Sequence, residues 1–169
     1  MLALGLCVAG RLENRIYEPA DPEVQTLYSE LVPISDRFDP AAIEVAQLDR
    51  ESLRRDGEKP AAAMARAAKW ITAVSGKARP VICAYPAAFD WPFLYWYLES
   101  YAAEQNPVGF SSCIDMKTMF ATKASVPFGE AGRDDLPNEL RSERAHTHNA
   151  LDDAIEQAEI FSKLFTWTP

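Results

Sequence analysis

Near the carboxyl end of the chain, His146-Thr147-His148-Asn149-Ala150-Leu151-Asp152-Asp153 gathers two imidazoles and two carboxylates in one short stretch. Asn149 is a favoured helix N-cap, and Asp152 stands three residues on, where a capping-box partner would, although that motif prefers Glu or Gln. With Asn149 as the cap, His148 falls at N′ and Asp153 at N4, the two positions whose side chains meet in a hydrophobic staple. An imidazole and a carboxylate gain little from meeting there unless they share a proton, a ligand or a metal. The plainer alternative is that the acidic residues answer the helix dipole and the histidine is merely solvated. His146 lies outside the N′ position, so its replacement is expected to matter little.

Asp90 is the second candidate. It follows the apolar run Pro80-Val81-Ile82-Cys83-Ala84-Tyr85, and open α/β sheets place their ligand sites at the carboxyl ends of such strands. Its bland alternative is an N-cap before Trp91-Pro92. Two carboxylates at helix starts, one beside a histidine, are what a divalent-metal phosphodiester site requires: oxygen ligands for the ion and a base for water. Aromatic residues crowd the same region at Trp91, Phe93, Tyr95, Trp96, Tyr97 and Tyr101. They spread around the whole helix, so some must lie outside the core, and one or two rings are expected to stack on bases.

The elements that hold these residues read as follows. Residues 2–9 and 24–32 have strand character and are expected to form an antiparallel pair, joined by a polar connection from Arg11 to Glu23. Short helical turns fill Phe38 to Gly57. Pro60 then opens a helix over Ala61 to Val74, with Met64, Ala67, Ala68 and Ile71 on one face. Two strand–helix units follow, 80–85 with 91–101 and 109–114 with 115–122, and this alternation predicts an α/β sheet. Residues 123–147 lack periodicity, and a loop of that length is usually functional or mobile. A helix from Ala150 to about Phe165 closes the chain, its apolar residues recurring at helical spacing.

A chain of 169 residues and 18.8 kDa fits one domain, 1–169, with room for a sizeable core. The net charge of −8 argues against a protein that coats duplexes by charge, but leaves room for a polyanion end held through metal ions. Cys7, Cys83 and Cys113 are widely spaced in apolar runs, which suits buried thiols in a reducing compartment. The apolar start lacks a basic leader and is too short for a membrane span, so a cytoplasmic location is expected. Nucleotide-fold and serine-hydrolase signatures are missing.

Three blocks resemble the DEDDh 3′-5′ exonucleases of the proofreading-subunit and ribonuclease T type. Residues Ala84 to Leu94, with Asp90, look like that family's second motif. Residues His148 to Ala154, with the histidine five residues before Asp153, look like its third, and Cys113 to Lys117 resembles the segment between them. Two departures stand out. Pro86 occupies a position where the family usually has Asn, and the family's first motif, Asp-x-Glu on a central strand, has no convincing counterpart. Asp21-Pro22-Glu23 fits its letters but follows no apolar strand, so the chain reads as beginning after that strand.

The resemblance implies a ribonuclease H-like α/β fold, a mixed sheet flanked by helices with its N-terminal central strand missing. It implies a two-metal 3′-5′ exonuclease, impaired in this chain, acting on the 3′ end of single-stranded RNA or DNA. Asp90 and Asp153 would hold Mg²⁺ or Mn²⁺, His148 would take a proton from the attacking water, and Phe89 and Phe93 would contact substrate. No membrane partner is implied, and a homodimer is compatible. The alternatives are an inactive nucleic-acid-binding or interaction module of the same fold, and a metal-dependent phosphoesterase acting on small nucleotides.

Overall fold

The computed structural model describes residues 1–169. Its elements, in chain order, are β1 (Ala3–Cys7), β2 (Gly10–Glu13), β3 (Ile16–Pro19), β4 (Thr26–Glu30), α1 (Pro40–Ala46), α2 (Arg50–Asp56), α3 (Pro60–Ser75), β5 (Ile82–Ala84), α4 (Ala87–Ala102), β6 (Cys113–Asp115), α5 (Met116–Ala124) and α6 (Ala150–Thr166). The architecture is α/β, as the alternation predicts. The strands form three separate pairs: β1 with β4, β2 with β3, and β5 with β6. No helix is long and apolar enough to cross a membrane.

The first pair is antiparallel, with Leu4 opposite Ser29 and Leu6 opposite Leu27. Because strand side chains alternate between faces, Leu4 and Leu6 join the core formed with α3 and α4. Gly5 and Cys7 turn to the other face, where α6 lies: the Cys7 Sγ donates to the Ala154 carbonyl at 3.2 Å. Both faces are therefore covered, which explains the continuous apolar run in this strand. The β5–β6 pair is parallel, with Cys83 opposite Ile114. A second core forms beside it from Tyr85, Met116, Phe120, Leu136, Leu140, Ile160, Phe161 and Leu164.

Two expectations need correction. The connection from Arg11 to Glu23 folds as the hairpin β2–β3. Its turn residues Asn14 and Arg15 both have positive φ, 50° and 66°, the geometry of a tight two-residue hairpin turn; Asn favours that geometry but Arg gives no signal for it. The helix expected to start at Asp90-Trp91-Pro92 begins at Ala87 instead. Asp115 makes the earlier start possible, because its carboxylate accepts the Ala87 amide at 2.7 Å and the Thr118 amide at 2.8 Å. One side chain thus caps α4 and α5 together, and Asp90 sits within the first turns of α4, not at its cap.

The long segment before α6 is built of three short 3₁₀ turns and is pinned to α6. Ser142 donates to Glu159 at 2.6 Å, Arg144 to the same carboxylate at 2.7 Å, and Arg133 lies 3.3 Å from Glu156. The three cysteines are free and half-buried, more open than expected, and burial still raises the Cys7 and Cys83 thiols to about 12.

Candidate active site

Helix α6 begins where the capping chemistry places it. The Asn149 side chain accepts the Leu151 amide at 2.9 Å and the Asp152 amide at 3.4 Å. The reciprocal half of the capping box does not form, because Asp152 accepts the Thr147 hydroxyl at 2.7 Å and the Asn149 amide turns to that same hydroxyl at 3.2 Å. Just ahead of the cap, His148 has φ of 61°. A bulky residue in the left-handed region is uncommon, and such backbone strain concentrates at functional sites.

Helix α6 lies across the β1–β4 and β5–β6 pairs. Against β1, the fit is closest at Gly5, where an added Cβ would fall within the backbone of Ala150 and Leu151. Toward β5, the Gln157 carbonyl accepts the Tyr85 amide at 2.8 Å. Between the two pairs lies a groove of about 1470 Å³, lined mainly by apolar residues. Asp90, His148 and Asp153 all face it, with Phe89 and Phe93. Phe89 and Phe93 are 67% and 47% exposed and pack edge to face at 5.8 Å, so neither ring is committed to the core. Tyr97, by contrast, is buried.

Both carboxyls are raised above their ordinary values. Burial raises the Asp90 carboxyl above its ordinary value, and the charge on Asp153 raises it further. Asp90 reaches solvent as a residue, yet protein atoms crowd its carboxyl. Asp153 is also raised, first by burial and then by Glu156, against the lowering influence of His146, Arg133 and His148. The Asp153 Oδ1 is buried and accepts no hydrogen bond. An unpartnered carboxylate oxygen on Asp153, whose charge also raises Asp90, is the kind of hard donor that suits a divalent cation such as Mg²⁺ or Mn²⁺. In addition, one donor atom from each of His146, His148 and Asp153 lies within 4.8 Å of the others.

His146 is the residue that sequence reasoning missed. Its Nδ1 lies 3.0 Å from Asp153 Oδ1 and 2.9 Å from Glu156 Oε2, and its ring packs edge to face on His148 at 4.1 Å. The available signal was spacing along α6: Asp153 and Glu156 are i, i+3 neighbours on one helix face, so a group that meets one can meet both.

These shifts set a pH dependence. An acid whose folded-state pKa is raised favours folding fully below its unfolded value, near 3.8, and loses that contribution as pH rises through the folded value. As pH rises and the two carboxylates ionise, each comes to oppose folding. Asp90→Asn is therefore expected to raise the melting temperature of the metal-free protein at pH 7, with the gain shrinking as pH falls toward 4. Thermal melts in EDTA across that range check this, and a gain independent of pH would contradict it.

No family model matches the chain. It is 33% identical over 162 residues to a 3′-5′ DNA exonuclease, Cap18, of Escherichia coli, covering 95% of this chain and 80% of that protein.

Proposed function

Since the chain belongs to the exonuclease family of that relative, we propose that it removes nucleotides from the 3′ end of single-stranded DNA by metal-assisted hydrolysis of the phosphodiester bond. The observation that carries this reading is that Asp90, His148 and Asp153 all line one groove, where the charge of Asp153 raises the Asp90 carboxyl. The type proposed is DEDDh, in a ribonuclease H-like fold. DNA is preferred to RNA because the relative is named a DNA exonuclease.

In this mechanism Asp90 on α4 and Asp153 on α6 would hold the metal. Divalent ions, when bound, would stabilise charge on the phosphate and on the leaving oxygen. His148 takes the proton from the attacking water at a ring nitrogen, for which it is free: no hydrogen bond occupies its ring. Phe89 and Phe93 offer stacking surface to the terminal bases, a contact typically worth about 1–3 kcal/mol per base. Two carboxylates are few for a site holding two ions, which accounts for the impaired turnover proposed for this chain.

The test is digestion of a 3′-labelled single-stranded oligonucleotide by residues 1–169 with Mn²⁺ or Mg²⁺. Slow, EDTA-sensitive loss from the 3′ end is expected. Asp153→Ala should lower activity roughly 10–100-fold at limiting metal, consistent with loss of a metal ligand, and recover in part as the metal concentration rises. Oligonucleotide binding with no metal-dependent shortening would instead establish the inactive binding module. Hydrolysis restricted to mononucleotide esters would establish the phosphoesterase.

A further inference from the structure

His146 and His148 lie side by side, yet their hydrogen bonds set them apart. The Arg133 Nη2 stands 2.9 Å from His146 Nε2. A guanidinium can only donate, so Nε2 accepts and Nδ1 is left to donate. Nδ1 hydrogen-bonds Glu156 Oε2 at 2.9 Å and also stands 3.0 Å from Asp153 Oδ1, a close contact without a hydrogen bond. Glu156 is itself only 9% exposed and lies 3.3 Å from Arg133 Nη1. Arg133, His146 and Glu156 therefore close a ring of contacts on one another, with Asp153 set against it.

From this geometry we propose that His146 is a positioning residue: with Arg133 and Glu156 it fixes the carboxylate of Asp153 for metal binding. The proposal rests on the reading of Asp153 as a metal ligand. It assigns the two histidines different work. His146 has both ring nitrogens engaged, so it neither takes a proton from water nor joins the ion. For its Nδ1 to bind a cation, the ring proton would have to move to Nε2 and face the Arg133 donor. His148, with its ring unengaged, remains available for proton transfer. Residues that orient a ligand in this way commonly matter nearly as much as the ligand itself.

The test uses the full chain and Mn²⁺ alone, with free Mn²⁺ followed by electron paramagnetic resonance. His146→Ala is expected to weaken Mn²⁺ binding by about 10–100-fold. His146→Asn, whose amide can stand where Nδ1–H stood, should restore most of that loss, whereas His146→Leu should not. A purely structural role would lower the melting temperature without this rescue pattern. In the metal-free protein, long-range ¹H–¹⁵N spectra should show His146 as the Nδ1–H tautomer. An Nε2–H tautomer, or wild-type affinity in His146→Ala while Asp153→Ala fails to bind, overturns the proposal and leaves the metal-ligand reading intact. Equal Mn²⁺ binding by wild type, Asp153→Ala and His146→Ala overturns both. Mn²⁺ binding that follows the expected series without DNA hydrolysis overturns the exonuclease reading alone.

Discussion

His148→Ala is expected to slow release of the terminal nucleotide by about 10²–10⁴-fold, the usual contribution of a positioned general base, while Mn²⁺ affinity stays close to wild type. The reason is a division of roles that the geometry supports. Asp90 and Asp153 carry partly desolvated oxygen donors, and the charge of Asp153 raises Asp90. His148 faces the same groove from the residue before the α6 cap, with a ring nitrogen within 4.8 Å of a His146 nitrogen and an Asp153 oxygen. Its imidazole makes no hydrogen bond to the rest of the chain, so its removal leaves no buried group unsatisfied, and the loss should fall on the chemical step. Turnover should be measured at saturating Mn²⁺, beside binding measured without DNA. A variant that turns over within about threefold of wild type would remove His148 from the role of base. A parallel collapse of Mn²⁺ affinity would recast it as a ligand.

The largest stability effect is expected at Gly5. No side chain fits there, because a Cβ would meet the carbonyl and the following amide of the first residues of α6. Those atoms are backbone, and no rotamer can move aside. Gly5→Ala must therefore push α6 off β1, and overpacking of this kind typically costs about 1–3 kcal/mol. With the obstacle being helix backbone, the upper end applies. About 3 kcal/mol corresponds to a fall in melting temperature of roughly 6–12 °C for a chain of this size. Gly129→Ala is the control, since an added Cβ there meets nothing within 4 Å, and it should melt near wild type. A Gly5→Ala shift of less than about 2 °C would show that α6 can retreat without loss. Because Asp153 and His148 ride on the start of α6, the same substitution should also weaken Mn²⁺ binding.

The positions that local chemistry governs were readable without coordinates. Asn149 announces a cap, and the apolar spacing of Leu151, Ile155, Ala158, Phe161 and Phe165 announces the helix behind it. The first strand pair follows from two apolar runs. What escaped was non-local. Nothing near Ala87 in sequence says that α4 starts there, because the cap comes from Asp115, 28 residues away. The same holds for His146. Its significance depends on Arg133, which lies 13 residues before it beyond an aperiodic segment, and on Glu156, a turn further along α6 than the N′/N4 pairing reaches. Hydrogen-bond direction, not residue type, separates the two histidines, and direction is visible only when all partners are placed.

The groove divides more than two strand pairs. On one side Asp90 rides on α4, whose Leu94, Tyr97 and Leu98 belong to the core that contains β1. On the other, Asp153 rides on α6, whose Ile160, Phe161 and Leu164 belong to the second core. Anything that gripped both carboxylates at once would therefore tie residues of the two cores together, and its binding energy would be shared by both. Mass action makes that energy stability of the whole: a ligand at about a hundred times its dissociation constant adds roughly 2.7 kcal/mol to folding. If the proposed ion bridges the two carboxylates, filling the site would raise the cohesion of the two cores.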